Sequence, residues 1–310
     1  MTLRSPQREP LPGLPPEVVV WEVGPRDGLQ NEPGLVPTEA KRELVERLVA
    51  AGLPVVEVTS FVRPEWVPQL ADAAEVLAGL HRRDGVRYPV LVPNERGLVR
   101  ALDCGVRDVA VFASATESFA RRNLNRGLDE QYAMLAPVVA ASLAAGVGVR
   151  GYLSMCFGDP WEGHVPVDQV VRAVARLLEL GCSEVSLGDT IGVGTPGHVR
   201  TLLGGLSAAG VDLDVVGVHF HDTYGQALAN TLAALEAGVR TVDSSAGGLG
   251  GCPYAKSATG NLATEDLVWM LDGLGVRTGV DLERLVATSS WLAGVLGRPS
   301  PSRVVRALTG

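Results

Sequence analysis

The sequence predicts a single α/β domain, a TIM (β/α)8 barrel with additional C-terminal helices. Three observations predict it. Eight short β-branched runs alternate with amphipathic helical stretches between Val18 and Ser245. Glycine closes the helical stretches at Gly52, Gly105, Gly146, Gly181, Gly210 and Gly238. Each "AAG", "ELG" or "EAG" leads into another β-rich run, the αβ junction of a parallel sheet. An open doubly wound sheet shares the periodicity, but eight units in this length match the barrel better.

The elements follow in order. Residues 1–17 are proline-rich, carry acidic groups and lack the apolar core of a signal peptide, so they read as a flexible leader before a catalytic domain over 18–310. The strands are expected at VVVWEV (18–23), PVVEVTSF (54–61), RYPVLVP (87–93) and DVAVFAS (108–114). They continue at VRGYLSM (149–155), EVSLGD (184–189), VVGVHFH (215–221) and RTVDSS (240–245). Between them lie helices such as TEAKRELVERLVAAG, where Leu44, Leu48 and Ala51 recur at helical spacing. No linker interrupts the region, and the tail after Leu271 reads as helical packing against the barrel.

Composition narrows the function. A chain of 310 residues, 46% hydrophobic and 20% charged, is long enough for a large core and reads as a soluble globular protein. A net charge of −8 with no basic run opposes nucleic-acid binding, and no apolar run is long enough for a membrane span. Cys104, Cys156, Cys182 and Cys252 form no C-x-x-C pair, which suits reduced thiols in the cytoplasm.

In such barrels the chemistry sits where strands end and βα loops begin. The polar residues gather there. The first strand ends in GPRDGLQNE with Arg26, Asp27 and Gln30; the second carries Glu57 within an apolar run; the sixth ends in SLGDTIG with Asp189. The seventh holds His219 and His221, two of only five histidines, and i, i+2 spacing on a strand turns both imidazoles to one side. After the eighth come Cys252, in a glycine-rich loop, and Asn261.

Each has a plainer role open to it. Glu57 could pair with Arg26, Asp189 could close a turn, and Asn31 could satisfy loop backbone. Taken jointly, Asp27, His219, His221 and Asn261 reach one rim. Such mixed oxygen and nitrogen donors suit Mg²⁺ or Mn²⁺, with Co²⁺ or Zn²⁺ allowed.

The segments GPRDGLQNE, SFVRPEWVPQLADA, SLGDTIGVGTPG, HFHDTYGQALANTLAALEAG and GLGGCPYAKSATGNLATEDLVWML resemble the 3-hydroxy-3-methylglutaryl-CoA lyase family, in order, from about Val18 to Val280. The resemblance implies a barrel lyase that splits hydroxymethylglutaryl-CoA into acetyl-CoA and acetoacetate with a divalent cation. It implies Asp27, His219, His221 and Asn261 as metal ligands, Arg26 at the thioester carbonyl and Cys252 as the active-site cysteine. It also implies functional weight for Glu57 and Asp189. Gln30 joins Arg26 as a substrate-binding candidate.

Glu57, Asp189, His219 or a water they orient compete as the base. The chain departs from the family pattern at Asp159 in GDPWEG, at Arg63 and Glu65, and at Lys256 and Ser257. The anionic acyl-CoA needs a local positive region, for which Arg121, Arg122 and Arg126 are candidates. A homodimer is the expected assembly.

Claisen-type synthases share an arginine–aspartate pair and paired histidines, but GPRDGLQNE and the GLGGCPYA loop oppose that reading. A non-catalytic scaffold has no support from lost side chains. A carboxyltransferase would want a metal-bridging lysine, and only Lys41 and Lys256 exist.

Overall fold

The computed structural model describes residues 4–251 and 260–310. Its strands are β1 (Val19–Glu22), β2 (Val55–Val56), β3 (Thr59–Ser60), β4 (Val90–Leu91), β5 (Asp108–Ser114), β6 (Gly148–Ser154), β7 (Glu184–Asp189), β8 (Val216–Phe220) and β9 (Thr241–Ser244). All neighbours are parallel, in the order β2-β1-β9-β8-β7-β6-β5-β4-β3.

That order is a closed barrel. The sheet begins with β2 and ends with β3, which are two halves of the single run 54–61. Between them the backbone keeps bonding to both sides: Glu57 N donates to Glu22 O (2.8 Å) and Val58 N to Pro89 O (2.9 Å). The run expected as one strand thus serves both seam edges, and eight strands close the circle without an exposed edge.

Helices alternate with the strands: α1 (Thr38–Ala50), α2 (Ala73–Ala78), α3 (Glu95–Asp103), α4 (Glu117–Leu124), α5 (Leu128–Ala144), α6 (Val167–Leu180), α7 (Pro196–Ala208), α8 (Ala227–Ala237) and α9 (Thr264–Gly273). Two more, α10 (Leu282–Leu296) and α11 (Arg303–Thr309), are the additional C-terminal helices. The glycine stops are real: Gly181 and Gly238 end α6 and α8 with φ of 109° and 110°, a left-handed conformation that a side chain would strain.

The core lies between sheet and helices. Val20, Val56, Val90, Val109, Val149, Leu187, Val218 and Val242 face outward onto the helices and belong to one buried cluster. The alternate positions face the barrel axis, with Glu57, Arg150, Ser186 and Asp243 all buried there.

Residues 4–17 lie against the turn after α9. Glu9 N donates to Gly273 O (2.8 Å), Arg8 pairs with Asp272, and Arg277 N donates to Pro16 O (3.1 Å). Among the described residues no helix is long and apolar enough to cross a membrane.

Candidate active site and metal centre

The chain leaves β1 through one π-helical turn, Gly24–Gly28, in which Arg26, Asp27 and Gly28 N–H groups all point at Val23 O. Such wide turns are rare and re-aim side chains. Buried Glu22 holds this one: Oε1 accepts from Gly24 N (2.7 Å) and Ala246 N (2.8 Å), and Oε2 from Thr264 Oγ1 (2.6 Å). Gly28 has no room for a side chain, since a Cβ there would lie 2.7 Å from Ser245 Oγ. Its effect is to carry Arg26 and Asp27 over the barrel mouth.

Asp27, His219 and His221 converge there, each offering a ligand atom within 4.8 Å of the others. His219 Nε2 lies 3.9 Å from Asp27 Oδ2. Backbone pairing at the end of β8 brings in the fourth candidate, because Leu262 N donates to Phe220 O (3.0 Å) and His221 bridges Asn261. Asn261 Nδ2 donates to Asp27 Oδ2 (2.9 Å) and Leu249 O (3.0 Å). Its Oδ1 is buried and meets no partner among the described residues, and the same holds for Nδ1 of His221. Orphaned acceptors of this kind are costly unless something fills the gap.

Electrostatics favour a cation. Burial would raise the Asp27 carboxyl, but Arg26 and the two imidazoles outweigh it and hold the group at about 2. Burial, reinforced by His219, lowers His221 to about 4, so it stays a neutral donor at ordinary pH. A carboxylate, two imidazoles and an amide oxygen can hold one divalent ion.

Arg26 is clamped. Its Nε donates to Glu57 Oε1 (2.5 Å), NH1 donates to Asp27 Oδ1 (2.5 Å), and the guanidinium stacks 5.2 Å from the Tyr152 ring centre. Glu57 also accepts from Trp21 Nε1 (3.1 Å) and from the Tyr152 hydroxyl.

The site floors a cleft of about 550 Å³ on the C-terminal side of the barrel. Arg26, Asp27, Gln30, His219 and His221 line it. Glu57 and Asp189 do not. Glu57 is committed to Arg26. Asp189, raised to about 6 by burial, accepts from Val193 N (3.0 Å) and Gly194 N (2.9 Å) and so closes the turn after β7.

Cys252 lies outside the described residues, as does Lys256; Gly251, at the edge of that stretch, lines the cleft and accepts from Asn31 Nδ2 (2.9 Å). Of the basic segment, Arg126 lines the cleft, while Arg121 pairs with Glu117 (2.6 Å) and Arg122 stacks on Trp161 (4.3 Å). Lys41 sits on α1, bonded to Asp72 (2.7 Å), far from any metal-bridging role.

Three residues went unnamed in the sequence reading. Tyr152 lines the cleft, Arg150 and Asp243 fill the barrel axis behind it, and His219 Nδ1 lies 3.2 Å from Asp243 Oδ2. Their signal was parity: each sits on the inward register of a strand whose outward residues are apolar.

The HMGL-like family profile matches residues 17–292. This chain belongs to the HMGL-like family. Among its HMGL-like relatives is the mitochondrial hydroxymethylglutaryl-CoA lyase of Bos taurus, 50% identical over 99% of this chain and 94% of that protein. The hydroxymethylglutaryl-CoA lyase structure from Pseudomonas aeruginosa superposes with a TM-score of 0.94 at 49% identity, over 96% of this chain and 99% of that one. An HMG-CoA lyase from Acinetobacter baumannii, solved with coenzyme A and 3-methylmalate, gives 0.89 at 36% identity, over 94% and 95%. The carboxyl transferase domain of Rhizobium etli pyruvate carboxylase shares the fold alone, at 20% identity.

Proposed function

We propose that the chain is a divalent-metal-dependent carbon–carbon lyase that cleaves 3-hydroxy-3-methylglutaryl-CoA to acetyl-CoA and acetoacetate. The observation that carries this reading is the set of four donors at the cleft floor, with Asn261 Oδ1 and His221 Nδ1 buried and, among the described residues, unpaired beside Asp27 and His219. The relatives named for the same reaction support it.

In the reaction the C3 hydroxyl gives up its proton and its oxygen becomes the ketone of acetoacetate. The C2–C3 electron pair leaves on C2, and the resulting enolate of acetyl-CoA takes a proton there. A bound Mg²⁺ or Mn²⁺ at Asp27, His219, His221 and Asn261 would acidify the hydroxyl and fix the geometry of the acyl group. Arg26 stabilises the charge that builds on the thioester oxygen, and its permanent protonation is secured by Glu57 and Asp27. Gln30, on the cleft wall, orients the acyl end.

Glu57 acts through Arg26, and Asp189 through the turn it closes. Cys252 supplies the proton to C2; the family resemblance and the cleft position of the neighbouring Gly251 support this role. Arg63 and Arg126 give the acidic chain a local positive wall for the anionic CoA. A homodimer in the cytoplasm completes the reading. Free thiols at Cys104, Cys156 and Cys182 suit a reducing compartment, and curated relatives carry both mitochondrial and cytoplasmic names.

The test is a coupled assay of acetyl-CoA release from hydroxymethylglutaryl-CoA, run after chelation and again with Mg²⁺ or Mn²⁺ restored. Metal-restored turnover is the expected result. Absence of turnover in both states discards this substrate.

A further inference from the structure

We infer that Asp243 is a positioning residue for the metal centre: it holds His219 in the Nδ1–H tautomer, so that the Nε2 lone pair faces Asp27 and the cation. The inference rests on the metal reading above and adds to it a residue on a strand that supplies no ligand.

The geometry is set by strand pairing. β8 and β9 run side by side in a register that puts His219 opposite Asp243, both on the inward face. His219 Nδ1 lies 3.2 Å from Asp243 Oδ2, while Nε2 points the other way, 3.9 Å from Asp27 Oδ2. A carboxylate only accepts, so the ring nitrogen facing it must carry the hydrogen. That leaves Nε2 bare, which is what a metal ligand requires.

Asp243 cannot turn away or bind the ion itself. Its side chain is wholly buried, and both oxygens are taken. Oδ1 accepts from Arg150 NH2 (2.7 Å); Oδ2 accepts from Arg150 NH1 (3.1 Å) and Ser186 Oγ (2.8 Å) besides His219. Arg150 is anchored in turn by Glu184 (2.5 Å). Gly217 makes room for this guanidinium, since a Cβ there would come within 2.5 Å of Arg150 NH2. The guanidinium of Arg150 thus meets the carboxylate through both terminal nitrogens, opposite charge against opposite charge.

Asp243 does not line the cleft, whereas Ser186 and His219 do. It therefore touches neither substrate nor metal and works only by aiming the imidazole. The two imidazoles are held differently, one from behind by a carboxylate and one by backbone pairing with Asn261.

Mn²⁺ binding to the chelated full chain tests this, followed by the electron paramagnetic resonance of the free ion. Asp243→Asn should weaken Mn²⁺ binding about 10- to 100-fold with an unchanged far-ultraviolet circular dichroism spectrum. His221→Ala, the control on the site itself, should weaken it at least as much. Wild-type affinity in Asp243→Asn beside loss in His221→Ala would overturn the positioning role and leave the metal site intact. Wild-type affinity in both would overturn the metal reading as well.

Asparagine beside Arg150 could unfold the barrel, so a second measurement uses the unaltered protein. Imidazole ¹⁵N resonances of the metal-free chain, assigned with single histidine variants, should report the Nδ1–H tautomer for His219. The Nε2–H tautomer there would overturn the inference.

Discussion

The two faces of the barrel strands differ in kind. Outward, Val20, Val109, Leu187 and Val218 meet the helices in a continuous apolar cluster. Inward, strands β6 to β9 present Arg150, Ser186, His219 and Asp243, tied by charge-assisted hydrogen bonds. The outer face is held by area removed from water, which is non-directional and tolerant of exchange among apolar residues of like volume. The inner face is held by fixed donor and acceptor geometry, in which each buried charge depends on a particular partner. Stability can come from either layer, but only the second can aim an imidazole. The difference teaches that one side of the axis, around Arg150 and Asp243, extends the site, while Leu91, Ala110 and Tyr152 form a small apolar cluster on another side.

Four outcomes sharpen or break that contrast. The largest effect belongs to the inward mouth: His221→Ala should cut metal-dependent turnover on the order of 10³-fold, since charge stabilisation by a metal is worth several kcal/mol. The folded barrel should survive, as read by circular dichroism; retained activity at unchanged metal affinity would remove His221 from the site.

Next comes the axis. Arg150→Met leaves Asp243 and Glu184 without their cation and should cost about 3–5 kcal/mol in denaturant unfolding. Leu187→Ala on the outer face should cost about 2–5 kcal/mol through its cavity. The contrast lies in the metal: Arg150→Met should also weaken Mn²⁺ binding, while Leu187→Ala should leave it unchanged. Equal effects on binding would mean that the axis has no special tie to the site.

A smaller effect is one of pH. Burial raises Glu22 to about 7 and Glu265 to about 8. Carboxyls raised above an unfolded value near 4.5 favour folding most at pH below that value, and their contribution is lost as pH rises through the folded values. Stability should therefore decline between about pH 5 and pH 8, and the double variant Glu22→Gln, Glu265→Gln should flatten the slope in thermal scans. An unchanged slope would show that neither carboxyl governs it.

The smallest is on the helices. Arg200, paired with Glu236 at 2.6 Å and half exposed, should change stability by less than about 1 kcal/mol as Arg200→Ala. A larger loss would mean that surface ion pairs rival the axis.

Much of this was written in one dimension. Apolar alternation and glycine stops determined the repeating βα units, because strand parity and left-handed caps are local properties. The paired histidines at i, i+2 were legible for the same reason, and GPRDGLQNE placed Arg26 and Asp27 at a strand end. What no local pattern contains is which inward residues meet. Trp21 and Tyr152 converge on Glu57, and Arg150 reaches Asp243 across the axis, only because the sheet curls into a barrel; the pairing of β8 with β9 then sets His219 beside Asp243. Whether Glu57 and Asp189 face a cleft or hold up its walls was likewise decided by tertiary contacts. A carboxylate's role depends on the donors that reach it, and those donors come from strands and turns far apart in the chain.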